Sequence, residues 1–126
     1  MKDVLAKLKF KTEGIVINAP EKIEKEFVQL GLATTFDKNR KSTSTIIFVN
    51  ELKEFVDFLV GKLNHIESDS LLWFAYPKGT SGIKTDINRD ILRVKAEEYG
   101  ITTVTAISID STWSALRFRP SDKVGK

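Results

Sequence analysis

Between Tyr76 and Asp90 the chain reads YPKGTSGIKTDINRD, a loop of small and basic residues leading toward a helical pattern. Gly79 and Gly82 let a backbone come close to a ligand, Thr80, Ser81 and Thr85 bring hydroxyls, and Lys78 and Lys84 bring charge. At a helix entry such residues suit a small anion held by unpaired N–H groups. They equally suit a turn, with Thr85 or Asp86 serving only as a helix cap. A second group, Asp110, Trp113 and Ser114 in IDSTWSALRFR, is expected on the same sheet edge. If the last strand returns between its neighbours, Lys78 and Asp110 stand two strand spacings apart, roughly 10 Å, which admits a small ligand. The alternative is that Asp110 caps the turn and Trp113 plugs the core. We expect Trp113 to be partly exposed, and take Lys78 to Gly82, Lys84 to Asp86, Asp110, Trp113 and Ser114 as the candidate ligand-binding set.

Several familiar chemistries fail at particular residues. A phosphate-binding P-loop needs a glycine where Ile83 stands, and Gly79 is one residue too close to Lys84. GTSG leaves no residue between Ser81 and the second glycine, so it is not a nucleophile elbow. After the first strand the chain reads NAPEKI, without the glycines that admit a pyrophosphate or an adenosyl methyl donor. Asp37, where a ribose-binding acid would lie, suits a turn. With His65 as the single histidine and no cysteine, disulfides, thiolate nucleophiles and a structural zinc site are excluded. No catalytic motif is complete, and we expect no cofactor and no metal.

Twenty basic against 17 acidic side chains leave a net charge of only +3, too little for a committed nucleic-acid binder. Arg117 and Arg119 alternate with Phe118, which puts the phenylalanine in the core and both arginines in solvent. The N-terminus, MKDVLAKLKFK, mixes lysines with single apolar residues and lacks the core of a secretory signal. A soluble, cytoplasmic protein is expected, with no membrane contact and either a small anion or a protein, including a second copy, as partner.

The elements that must position these residues follow from periodicity. GIVIN reads as a buried strand, then Pro20 opens a helix in which Ile23, Phe27 and Leu30 recur until Gly31. Thr34 to Phe36 is a weak strand and TSTIIFV a stronger one. Asn50 suits the N-cap of a helix whose Leu52, Phe55, Val56, Leu59, Val60 and Leu63 share a face. LLWFAY is a strand covered on both sides, Asp86 to Tyr99 a helix closed by Gly100, and VTAISID with SALRFR a C-terminal antiparallel hairpin. The alternation predicts one α/β domain over 1–126, with a lead-in over 1–13, a frayed tail over 121–126 and a mostly parallel sheet between helical layers.

LLWFAYPKGTSGIKTDINRD, followed by a helix, Gly100 and AISIDSTWSALRFR, resembles the bacterial family described as domain of unknown function 3052. KFKTEGIVINAPEKI extends the resemblance upstream, while Leu32 to Asn50 carries no motif. The resemblance brings no established activity. It implies a three-layer Rossmann-like sandwich similar to the methyltransferase-like version, with six strands in the order 2-1-3-4-6-5. Three functions remain open: a binder of a small anionic ligand, a non-catalytic protein-interaction module, and a divergent methyltransferase-like enzyme.

Overall fold

The computed structural model describes residues 1–11 and 13–124. Five strands, β1 (Ile15–Ile17), β2 (Ser42–Phe48), β3 (Ile66–Pro77), β4 (Ile101–Ser108) and β5 (Trp113–Pro120), form one sheet ordered β1-β2-β3-β5-β4. The β1–β2 and β2–β3 ladders are parallel; β3–β5 and β5–β4 are antiparallel. This mixed five-stranded sheet corrects the expected mostly parallel, six-stranded Rossmann-like sheet. The inserted, reversed C-terminal strand is present as expected, but Thr34 to Phe36 does not join the sheet, and without its parallel ladder the two antiparallel ladders of β5 equal the two parallel ones. The expected strand at Thr34 to Phe36 is reduced to a single parallel bridge between Ile15 and Ala33. Thr34 and Thr35 are exposed, while Phe36 leaves the sheet edge to stack on His65 at 4.8 Å and lean on Phe58.

Four α-helices accompany the sheet: α1 (Lys2–Leu8), α2 (Glu21–Gln29), α3 (Leu52–Gly61) and α4 (Arg89–Glu97). On one face Val4 and Leu8 of α1 and Ile23 and Phe27 of α2 pack with Val16, Ile46, Phe48 and Trp73. On the other, Phe55, Phe58 and Leu59 of α3 and Leu92 and Ala96 of α4 meet Ile47, Phe74, Leu116 and Phe118. Burial on both faces explains why LLWFAY is continuously apolar.

α1 lies in the expected lead-in. Val4 and Leu8, one helical turn apart, are buried, Lys9 closes the helix at φ 68°, and the Trp73 indole donates to the Leu8 carbonyl at 3.1 Å. The central strand therefore holds α1 by a polar bond as well as by packing. In α3 the buried face is turned toward Phe58, and Val60, expected inside, is 69% exposed. Its cap is Glu51, one residue after the expected Asn50, in a reciprocal capping box with Glu54. Ser121–Lys123 form a short 3-10 turn tied by Ser121 N–H to the Gly100 carbonyl, against the expected fraying; residues 125 and 126 of that tail lie outside the described residues. No helix among the described residues is long and apolar enough to cross a membrane.

Candidate functional site

The candidate residues gather along the carboxyl edge of β3, between the α3 N-terminus on one side and the β4–β5 turn on the other. The loop from Lys78 to Asn88 is irregular, and its shape comes from three local contacts. Ser81 N–H closes a turn on the Lys78 carbonyl at 3.0 Å, Ile83 N–H bonds the Ser81 hydroxyl at 3.1 Å, and Gly82 takes φ +82°, a conformation that side chains resist. Asn88, not Thr85 or Asp86, caps α4 by accepting from Ile91 N–H at 2.9 Å. The helix starts three residues later than the pattern suggests because Asp86 is used elsewhere.

Asp86 caps the neighbouring helix. Its carboxylate accepts from Leu52 N–H at 2.8 Å in the first turn of α3, while the Thr85 hydroxyl donates to the Asn50 carbonyl. Glu54 completes the same helix end by accepting from Asn50 N–H at 2.8 Å and Glu51 N–H at 3.2 Å. A helix N-terminus attracts negative charge, and here three carboxylates of the chain itself already answer it. An incoming anion would meet Asp86, Glu51 and Glu54 before it met a free N–H. Asp86→Ala should therefore destabilise the fold by about 1 kcal/mol, the usual worth of an N-cap, although Asp86 is exposed. Urea denaturation checks this; an unchanged midpoint would mean that water replaces the carboxylate without loss.

On the other side the expected gap between Lys78 and Asp110 is bridged. Lys78 N–H donates to the Thr112 carbonyl at 2.8 Å, and its ammonium reaches past β5 to the Ser108 hydroxyl at 2.7 Å. Asp110 is a turn cap: one carboxylate oxygen accepts from both Thr112 N–H and Trp113 N–H at 2.8 Å. Trp113 is buried, 6% exposed, and meets Phe48 edge-to-face at 5.1 Å, which corrects the expectation of partial exposure. An indole is too large and too apolar to stay at the strand ends when Phe48 offers a ring one layer below. Ser114 stands opposite Tyr76 in the β3–β5 ladder. Burial raises the Tyr76 pKa above its ordinary value, opposed by Arg89 and by Ser114.

The fold thus brings the candidate residues to one edge but does not converge them on a cavity. Gly79, Thr80, Gly82 and Lys84 form an exposed lip, and Lys84 has no ion-pair partner among the described residues. Two clefts lie instead at the amino ends of the strands. One, of about 300 Å³, runs beside Ile15, Ala33 and Ser42 with Arg40 at its rim, where Arg40 meets Glu13 at 3.2 Å and Asp37 at 3.7 Å. Asp37 also accepts from Asn39 N–H at 2.7 Å, the turn role expected of it.

The second cleft, of about 160 Å³, adjoins a bulge in β3, where register slips between the pairs Ser42–Ile66 and Ser44–Leu71 and Asp69 adopts φ 53°. Arg119 grips Asp69 through two bonds of 2.8 and 2.9 Å and holds its carboxyl below the usual carboxylate range. Nothing in the spacing of Asp69 and Arg119, fifty residues apart, announces this pair. Arg117 departs from the solvated position expected of it: it is half-buried, and its Nε has no hydrogen-bond partner. Among the described residues no group of three or more acidic or histidine side chains could hold a metal ion. Compared with known proteins, the chain matches no family model and no curated protein.

Proposed function

We propose that this chain is a protein-interaction module that works through its surface, without a small-molecule site at the carboxyl edge of its sheet. The observation that carries the reading is that the edge's polar side chains serve the fold itself: Asp86 and Thr85 on the α3 end, Lys78 on Ser108, Asp110 on its own turn. Exposed apolar side chains support it further, with Val60 on α3 and Val94 on α4 more than half exposed and Ile83 open at the loop tip. Kinship with the domain-of-unknown-function family belongs to the same proposal and rests on the motifs quoted above. So does a cytoplasmic location, supported by the absence of cysteine.

A second reading, a small anion at the lip of Lys78 and Lys84, has one observation in its favour: the Lys78 ammonium meets a hydroxyl and no carboxylate. The two readings separate in a melting experiment with inorganic phosphate. A ligand at a hundred times its dissociation constant stabilises by about 2.7 kcal/mol, which raises the melting temperature of a chain this size by roughly 10 °C. Phosphate also stabilises proteins by exclusion from their surface, so the informative comparison is with the Lys78→Ala, Lys84→Ala double variant. The module reading expects equal shifts in both proteins. A saturable shift that the double variant loses would overturn it in favour of anion binding.

A further inference from the structure

β4 is an outer strand of the sheet, paired only with β5. Among the described residues its backbone makes no hydrogen bond to any other element, so the donors and acceptors on its outer side are free. Proteins that keep to themselves blunt such an edge with charge, proline or brevity. The opposite edge is blunted in this way: β1 has three residues, and Ala33 closes part of it. β4 has eight, ITTVTAIS, without a charged residue or a proline, and its single irregularity is a bulge between Thr103 and Thr105. Thr105 and Ala106 are exposed.

The two ends of this uncharged edge are marked by opposite charges borne on other elements. At its start the Thr102 hydroxyl donates to a Glu97 carboxylate oxygen at 2.8 Å; the other oxygen lies 3.6 Å from Arg93, which is shared with Asp90 at 3.9 Å, so two carboxylates face one guanidinium and this end stays acidic. At its finish the Ser108 hydroxyl receives the Lys78 ammonium at 2.7 Å. The Asp110 carboxylate nearby is turned onto the hairpin backbone and forms no ion pair with that lysine. An edge that is acidic at its start and basic at its finish is complementary to itself when run in the opposite direction.

We infer that β4 pairs antiparallel with β4 of a second copy of this chain, merging two five-stranded sheets into one. A twofold axis through the middle of the strand sets the Thr102 end of each copy beside the Ser108 end of the other, so that Glu97 faces Lys78 twice. Threonines near the axis meet threonines, a favourable cross-strand pair, and no like charges oppose each other. A peptide of another sequence would satisfy the same backbone groups, but nothing along β4 selects it by charge, whereas the marked ends select this chain. The inference supplies a partner for the interaction reading above and rests on it.

Sedimentation velocity of the whole chain over a concentration series tests the pairing. We expect a dimer at roughly 100 µM, weakened by added salt because exposed charge pairs are screened. Thr105→Lys, which sets two lysines against each other near the axis, should give a monomer that still melts cooperatively. Glu97→Lys and Lys78→Glu should each weaken the dimer about tenfold or more, and the double exchange should restore it. These two sites are exposed or half-exposed, so they keep the test decisive if Thr105→Lys disturbs β4. A monomeric wild type at that concentration, a dimer indifferent to Thr105→Lys in a folded protein, or single charge reversals without effect would each overturn the inference. The phosphate comparison decides the module reading separately, so one can fail while the other stands.

Discussion

A chain carrying Trp73→Asp should not fold. Trp73 lies in β3, the middle strand of the five, is 1% exposed, and packs among Ile46, Phe48 and Leu8 between sheet and helices. An aspartate there must either leave a charge in an apolar interior or take up a proton at neutral pH, and each course costs several kcal/mol. To this is added the space vacated by the indole, worth about 3–5 kcal/mol for a tryptophan cut to a small side chain. The sum reaches the whole stability of an ordinary domain, roughly 5–15 kcal/mol. Near-ultraviolet circular dichroism and a thermal melt decide it. A soluble variant with a cooperative transition would mean that the strand can slide to expose the site. Trp73→Phe is the control: it fills most of the space and leaves the Leu8 carbonyl unpaired, a loss of about 1–3 kcal/mol that the fold should survive.

Phe74→Ala should be the largest loss that leaves a folded protein. Phe74 points to the other face, is fully buried, and touches three rings edge-to-face: Phe55 at 4.7 Å, Phe118 at 5.4 Å and Phe58 at 5.5 Å between centroids. Removing the ring costs about 3–5 kcal/mol in burial and cavity, and the lost ring pairs add to it. For a chain of this length that lowers the melting temperature by about 10–20 °C. Phe55 and Phe58 come from α3 while Phe118 comes from β5, so no single element can relax into the space. A drop of only a few degrees would show that α3 settles onto the sheet after all.

The parts of the fold legible in the sequence are those in which local pattern and final burial agree. LLWFAY lies within β3, Ile23 and Phe27 face the core from α2, and VTAIS with SALRFR lies within the antiparallel β4–β5 pair. What was not legible depends on distant partners. MKDVLAKL hides a two-turn helix because Val4 and Leu8 alone mark its face, and the indole that holds it is sixty-five residues away. Thr34 to Phe36 has strand composition but lacks a strand's place, because Phe36 finds His65 and Phe58 first. The candidate edge was legible as a place and illegible as a mechanism. Asp86 reads as the cap of the helix that follows it, and only the folded chain discloses that it caps the one before.

The position of β5 bears on the order in which the molecule can be assembled. It follows the other four described strands along the chain, yet it stands inside the sheet, between β3 and β4. A chain emerging from synthesis therefore possesses β1 to β4 before the strand that joins β4 to the rest exists. Until residues 113 to 120 arrive, the outer side of β3 is an open edge of apolar sequence, and β4 is free to occupy it in a parallel pairing that must later be undone. Contacts that wait for the final segment are slow to form and leave such edges exposed to other chains. Completion of the sheet is thus a late event, and the nascent chain passes through a stage in which its central strand has one side unsealed.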